Sequence, residues 1–209
     1  MEDCMIYNLT DEQIDILGEI ANISMGNSAT SLSMMVNKRV EITTPKVKVI
    51  KRSEALDDYE KTCIFVQIHY IRGIEGNNVL ILKEHDVKVM TDLMMGGDGS
   101  NTAGELGELQ LSAVSEAMNQ MMGTAATSLS TLFGVTTDIS TPEVNMIDVE
   151  SVKVFEKMFE GKNDNFVKIA FKMTVGDLLN STMVQLYPED FATGMIERFR
   201  EREAALKKE

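Results

Sequence analysis

A polar pattern of fixed spacing occurs twice in this 209-residue chain, first within residues 15–26 and again within residues 112–123. Each copy holds a Glu, an Asn and a Gly, preceded by an Asp or a Ser: Asp15, Glu19, Asn22 and Gly26, then Ser112, Glu116, Asn119 and Gly123. At about 100° per residue, these intervals place the four side chains of one copy within roughly 60° of one another on a helix. Each copy therefore predicts a helix that carries a carboxylate beside an amide on one stripe.

The repeat extends well beyond this pattern. Residues 15–50 align with residues 112–147 without a gap, and 14 of the 36 aligned pairs are identical. Residues 79–86 align with residues 183–190 after an insertion in the second copy. Self-similarity of this kind indicates a chain built from two copies of one structural unit.

The duplication favours one pseudo-symmetric domain over two independent ones, because a half of about 100 residues would leave one face uncovered. We expect a single domain over residues 1–209, made of two repeats at about 10–96 and 105–200. A turn-rich hinge at 96–104 should join the repeats, and a charged end should occupy residues 199–209.

Composition excludes several classes of function. The net charge of −13 and the pI near 4.6 disfavour nucleic acids and anionic membranes as partners, because both would be repelled at long range. No apolar run approaches about 18 residues, and the N-terminal residues are acidic where a signal peptide is basic. We expect a cytoplasmic protein without membrane insertion. The cysteines and histidines lack the spacing of a metal site, so no metal is expected: Cys4, Cys63, His69 and His85.

Hydrophobic periodicity predicts the same elements in each copy, a long helix, three strands and a short helix. In the first copy, Thr10 and Gln13 have the form of a capping box, so a helix should begin there and run to about Met35. Strands should follow at 40–50, 62–72 and 76–83, and the short helix at 86–95. The buried face of the long helix should comprise Ile16, Leu17, Ile20, Ala21, Ser24, Met25, Ser28 and Leu32.

One strand of the first copy contains a proline. Because Pro45 lacks an N–H, it should lie at a sheet edge, at the start of its strand or at a bulge. The second copy predicts a helix at 108–133, strands near 136–147, 165–175 and 180–187, and a last helix from about residue 189. Residues 150–162 should form an irregular connection, and the charged run beyond Arg198 should be a frayed end or a linker.

The doubled pattern (Asp/Ser)-x3-Glu-x2-Asn-x3-Gly resembles the active-site signature of the CheC/CheX/FliY family of bacterial chemotaxis phosphatases. The resemblance covers nearly the whole chain. CheX proteins carry one intact motif. A chain with two motifs is therefore more similar to CheC or to the middle, CheC-like domain of the flagellar motor switch protein FliY. The run over residues 112–130 looks more like FliY.

This resemblance implies an α+β fold in which two antiparallel motif helices lie on one side of an antiparallel sheet, related by a pseudo-two-fold axis. It implies a substrate, the aspartyl phosphate of the response regulator CheY, with Mg²⁺ on the phosphorylated partner and no cofactor of the chain's own. FliY proteins also carry a FliN-related domain and assemble with flagellar switch proteins at the basal body. That domain is not visible in this sequence, so we expect either part of a FliY-like protein or a stand-alone CheC.

The family likeness gives the motif residues their expected roles. Asn22 and Asn119 should position the attacking water, since an amide offers an acceptor and a donor without placing a charge beside the phosphoryl oxygens. Glu19 and Glu116 should pair with a lysine of the regulator and orient it. The alternative function is a non-enzymatic scaffold of the flagellar motor that binds CheY.

The remaining motif positions leave alternatives open. Asp15 and Ser112 begin each stripe, and they either contact the partner or lie on an ordinary solvated surface. Gly26 and Gly123 each cost about 1 kcal/mol inside a helix relative to Ala. Either the partner's backbone approaches closely at these glycines, or the two long helices pack tightly through a set of small residues, Gly26, Ser28 and Ala29 with Gly123, Ala125 and Ala126.

Overall fold

The computed structural model describes residues 9–57, 59, 62–148 and 165–208 of the chain. Within these ranges the helices are α1 (Asp11–Val36), α2 (Glu84–Met94), α3 (Glu108–Phe133) and α4 (Glu189–Leu206). One sheet contains β1 (Val40–Lys51), β2 (Thr62–Arg72), β3 (Gly76–Lys83), β4 (Asp138–Ile139), β5 (Glu143–Asp148), β6 (Asn165–Val175) and β7 (Leu179–Pro188). The predicted α+β class is confirmed. The connection expected at 150–162 lies outside the described residues.

The sheet interleaves the two copies of the repeat. Its strands run in the order β1-β6-β7-β3-β2-β4, with β5 also paired to β2, and every pairing is antiparallel. The equivalent strands β3 and β7 pair at the centre. The first strand of each copy lies at an edge and pairs with the other copy, β1 with β6 and β5 with β2. Each copy therefore needs the other to complete its part of the sheet.

Prolines interrupt both edge strands. In β1 the pairing register with β6 shifts between Thr43 and Lys46, on either side of Pro45, so the predicted edge position and bulge are confirmed. The aligned Pro142 lies between β4 and β5. The single strand expected at 136–147 is therefore wrong: it is broken into two, because a proline cannot donate to the ladder.

Helix α1 begins and buries its face as its sequence predicts. The Thr10 hydroxyl accepts from the backbone N–H of Gln13 at 3.3 Å, and the Gln13 side chain accepts from the N–H of Thr10 at 2.9 Å. All eight residues expected on the buried face are buried, and the six apolar ones belong to the main core, together with residues of α3 and the sheet. Burial of this apolar stripe holds α1 on the sheet and leaves its polar stripe outside.

A serine near the end of each long helix ties that helix to the strand that follows. Ser33 Oγ accepts a hydrogen bond from the backbone N–H of Val40 at 2.9 Å. Ser130 Oγ makes the same contact with the N–H of Thr137 at 2.8 Å, in the aligned position of the second copy. The duplication therefore persists at the level of individual hydrogen bonds.

The C-terminal helix includes most of the charged helical run that was expected to be a frayed end or a linker. Helix α4 continues to Leu206, so the fraying expected after Arg198 is not what the structure shows. Phe199 is buried in the main core, and Arg200 Nη2 lies 3.1 Å from Glu12 Oε1 of α1. One core contact and one ion pair thus anchor the last turns, which a strictly local analysis of charge does not detect.

Candidate active site

The two motif helices lie side by side and antiparallel. Asn27 Nδ2 donates to Ser128 Oγ at 3.0 Å, and the hydroxyl oxygens of Ser31 and Thr124 share a hydrogen bond of 2.6 Å. Residue numbers rise along α1 as they fall along α3, so the helices run in opposite directions. Asn27 aligns with Thr124 and Ser31 with Ser128 in the repeat, so a two-fold operation exchanges the two bonds. The expected antiparallel, pseudo-symmetric pair is confirmed.

The pseudo-two-fold axis passes between two alanines. Ala29 and Ala126 occupy aligned positions midway between the two interhelical bonds, and they are only 5% and 4% exposed. Small side chains at this point let the helix backbones approach each other. The helix crossing fixes how far each motif lies from the axis.

Each Glu/Asn pair lies on the outer side of the helix layer. Glu19, Asn22 and Glu116 are exposed, and Asn119 is half-buried. Side chains three residues apart on a helix have Cβ atoms about 5–6 Å apart, so each amide lies beside its carboxylate. Each Asn precedes the crossing alanine by two turns, which puts the two amides about 20 Å apart along the helix axes. The fold thus presents two separate copies of one site.

The amides are available for external ligands. Within the described part of the chain, neither Asn22 nor Asn119 has a recorded side-chain hydrogen bond. The carboxylates differ: Glu116 Oε1 accepts a hydrogen bond from Gln120 Nε2 at 2.7 Å, whereas no such bond is recorded for Glu19. An amide with its acceptor and donor both unused can orient a water molecule against a bound group.

The glycines of the motif face open space. A Cβ built on Gly26 or on Gly123 would meet no atom within 4 Å outside its own helix. The expectation that the two long helices pack through small residues is therefore wrong for the glycines, whereas its alanines, Ala29 and Ala126, are buried at the crossing. Asp15 and Ser112 are exposed on the same outer surface. The open space at the glycines is compatible with close approach by a partner.

The site lies on an open surface of the two motif helices. The carboxyl groups whose pKa burial raises, Asp86 and Glu189, lie in the first turns of α2 and α4 and not on the motif helices. The described residues hold no group of three or more His, Cys, Asp or Glu that could bind a metal ion. The chemistry available at each motif is therefore positioning and ion pairing.

Sequence reasoning missed two side chains beside the motifs. Gln120 lies four residues after Glu116, a helical spacing that could have predicted their hydrogen bond. Arg200 reaches the start of the first stripe through Glu12, and no local pattern could have placed it there, because the two residues lie 188 positions apart.

The sequence also matches the CheC-like family over residues 12–49 and 109–146, which contain the two motifs. A crystal structure of FliY from Thermotoga maritima superposes with a TM-score of 0.87 at 40% identity, over 94% of this chain and 100% of that one. The chain belongs to the CheC-like family. The likeness to FliY that the second motif run predicts is confirmed.

Two curated relatives bear on function. The flagellar motor switch phosphatase FliY of Bacillus subtilis is 43% identical over 204 residues, which are 98% of this chain and 53% of that protein. The chain thus spans about half the length of this CheC-like relative. The CheY-P phosphatase CheC of the same organism is 26% identical over 161 residues, 74% of this chain and 76% of CheC.

A similar fold also occurs in FliM. FliM in a crystal structure of the FliM-SpeE complex from Helicobacter pylori superposes with a TM-score of 0.72 at 16% identity, over 94% of this chain and 98% of that one. At this identity the likeness concerns the fold alone. Among the described residues, no helix is long and apolar enough to cross a membrane.

Proposed function

We propose that this chain hydrolyses the aspartyl phosphate of a CheY-type response regulator at the flagellar motor switch. The observation that carries the proposal is the pair of outward-facing amides, Asn22 and Asn119, each without an intramolecular hydrogen bond and each beside a glutamate. Two relatives, named a flagellar motor switch phosphatase and a CheY-P phosphatase, support the same substrate class.

The reaction needs little from this chain besides the placement of water. A phosphorylated regulator holds its own divalent cation at the acyl phosphate, so the cation belongs to the substrate. Water attacks phosphorus in line, the bond between phosphorus and the aspartyl oxygen breaks, and inorganic phosphate and a free aspartate are released. An amide that orients this water contributes on the order of 3 kcal/mol, about a hundredfold in rate.

The asparagine and the glutamate of each motif have different roles, in chemistry and in docking. Asn22 and Asn119 accept from and donate to the attacking water, and they add no charge that the phosphoryl oxygens would repel. Glu19 and Glu116 pair with the regulator's lysine and fix the motif helix across its active site. Asp15, Gly26, Ser112 and Gly123 complete the surface that the regulator covers.

A second candidate function is a non-enzymatic scaffold of the flagellar motor. FliM shares this fold at 16% identity, and one fold can host different functions, so the architecture alone leaves the scaffold open. The intact Glu/Asn pair in both halves favours the enzyme. In either case the flagellar switch proteins are the proposed neighbours, and a cytoplasmic position at the basal body is the proposed location.

The decay of labelled acyl phosphate on a purified CheY-type regulator tests the proposal. With excess Mg²⁺, the chain should accelerate decay in proportion to its concentration, and inorganic phosphate should appear at the same rate. A chain that binds the phosphorylated regulator but leaves its decay unchanged would overturn the enzyme and favour the scaffold.

A further inference from the structure

The outer stripes of the two motif helices differ in charge although their Glu and Asn residues match. In the aligned repeat, Glu12 corresponds to Leu109 and Asp15 to Ser112. All four of these residues are exposed, and Leu109 is 70% exposed. The first stripe therefore presents two carboxylates where the second presents a leucine and a hydroxyl.

These differences lie beside the docking carboxylates. Glu12 precedes Glu19 by seven residues, and Leu109 precedes Glu116 by the same interval. Seven residues are close to two helical turns, so each pair lies on one side of its helix, about 10 Å apart along the axis. A regulator whose lysine meets Glu19 or Glu116 would also cover the differing positions.

An arginine from the last helix adjoins the first stripe and not the second. Arg200 Nη2 lies 3.1 Å from Glu12 Oε1, with both side chains substantially exposed. The equivalent helix α2 ends at Met94, so it has no turn that could supply a counterpart. Arg200 offsets one of the three carboxylates of the first stripe, which remains more negative than the second.

The single carboxylate of the second stripe is also held differently. Gln120 Nε2 donates to Glu116 Oε1 at 2.7 Å, whereas the aligned residue of the first copy is Ile23, which has no side-chain donor. Glu116 is thus oriented by its own helix before a partner arrives. Glu19 has no recorded partner, and Asp15 lies one turn before it on the same stripe.

We propose that the two sites capture the phosphorylated regulator by different physical means, the first by long-range charge and the second by short-range contact with Leu109 and a pre-oriented Glu116. The inference rests on the proposed function. Attraction between exposed charges is screened by salt, whereas apolar contact is not, so the sites differ in salt dependence. The residues that determine this difference are Glu12, Asp15, Leu109 and Ser112.

Single-site variants separate the two contributions. Asn119→Ala keeps only the first site intact, and Asn22→Ala keeps only the second. Both variants have the same net charge. Between about 20 mM and about 300 mM NaCl at constant Mg²⁺, kcat/KM should fall about tenfold for the first site and less than about threefold for the second. Because overall charge is matched, the difference reports the local stripe.

A charge graft tests the named residues. In the Asn22→Ala chain, adding Leu109→Glu and Ser112→Asp should give the second site the steep salt dependence of the first. The control is the Asn22→Ala chain with Lys207→Gln and Lys208→Gln, which lowers net charge by the same amount just beyond the end of α4. It should leave the salt dependence of kcat/KM unchanged. The inference would be overturned, while the proposed function stands, if kcat/KM fell equally with salt in the two single-site chains. It would also be overturned if kcat/KM of the graft fell no more steeply with salt than that of this control. A parent chain without acceleration would overturn both.

Discussion

The hydroxyl oxygens of Ser31 and Thr124 lie 2.6 Å apart across the contact between the two motif helices. A two-fold operation converts this pair into the bond between Ser128 and Asn27, at 3.0 Å. Two symmetry-related polar bonds therefore flank the crossing and set the register of α1 against α3. The spacing of the two sites follows from that register.

Removing this hydroxyl pair should loosen the helix layer. We expect Ser31→Ala to lower the free energy of unfolding by about 1 kcal/mol, the net value of one hydrogen bond. Thr124→Ala should cost a similar amount, and the double variant less than the sum, since both changes remove the same bond. Urea unfolding of the parent, the two single variants and the double variant gives the free energies of this double-mutant cycle. Thr30→Ala, an exposed neighbour on α1, is the matched control, and a cycle that is fully additive would contradict the account.

The motif glycines should show opposite effects on stability and activity. Gly26→Ala and Gly123→Ala should each stabilise the fold by about 1 kcal/mol, because alanine favours the helix and the new methyl group meets open space. Both should lower kcat/KM about tenfold if the regulator's backbone approaches there. Gly18→Ala is the control, since its Cβ would meet only Val47 at 3.8 Å inside the fold. Full activity in both motif variants would remove the glycines from the docking surface.

Burial of one carboxyl should make stability depend on pH. Burial raises the pKa of Asp86 above its usual value, and its Oδ2 atom has no hydrogen-bond partner among the described residues. The folded chain keeps this proton at pH values where the unfolded chain has lost it, so stability falls as pH rises through that window. Asp86→Asn should remove this fall. Denaturant unfolding at about pH 4 and about pH 7 should show the variant gaining relative to the parent at the higher pH. If the free energies of unfolding of variant and parent differed by the same amount at both pH values, the assignment would be contradicted.

Purified chain should contain no stoichiometric zinc. The described residues offer no group of three or more metal-binding side chains, and a structural zinc site needs four ligands. Hydrolysis should nevertheless require Mg²⁺, because the phosphorylated regulator holds that ion. Elemental analysis and activity after chelation measure both. Zinc at one equivalent, lost together with activity and not restored by Mg²⁺, would contradict this expectation.

Local patterns predicted the elements that carry the site. The capping box of Thr10 and Gln13 gives the start of α1, and helical periodicity gives its buried face. Because the motif sits on regular helices, its stripe could be placed from spacing alone. The repeat then required a two-fold relation, and the hydrogen bonds across α1 and α3 confirm it.

Long-range contacts could not be predicted in this way. The pairing of β1 with β6 exchanges edge strands between copies, and sequence spacing carries no information about such exchange. Pro142 was visible, yet its consequence depended on whether the edge strand would bulge, as at Pro45, or break. The ion pair of Arg200 with Glu12 joins opposite ends of the chain. The role of the glycines needed the geometry of the helix crossing, which falls on Ala29 and Ala126.

The glutamates should act in docking and leave the maximal rate nearly intact. Glu19→Gln with Glu116→Gln removes the charges proposed to meet the regulator's lysine, so KM should rise several-fold, and more substrate should rescue the rate. Steady-state hydrolysis against regulator concentration gives the two constants separately. A lower maximal rate at unchanged KM would mean that the carboxylates take part in the chemical step.

The central claim, that the two amides position the attacking water, is tested most directly by Asn22→Ala combined with Asn119→Ala. Steady-state dephosphorylation of a CheY-type regulator should show kcat reduced about a hundredfold with KM nearly unchanged, while each single variant keeps part of the activity. Thermal unfolding should match the parent, because Asn22 is exposed and Asn119 only half-buried. A double variant that is folded and turns over at the parent's rate would contradict the claim.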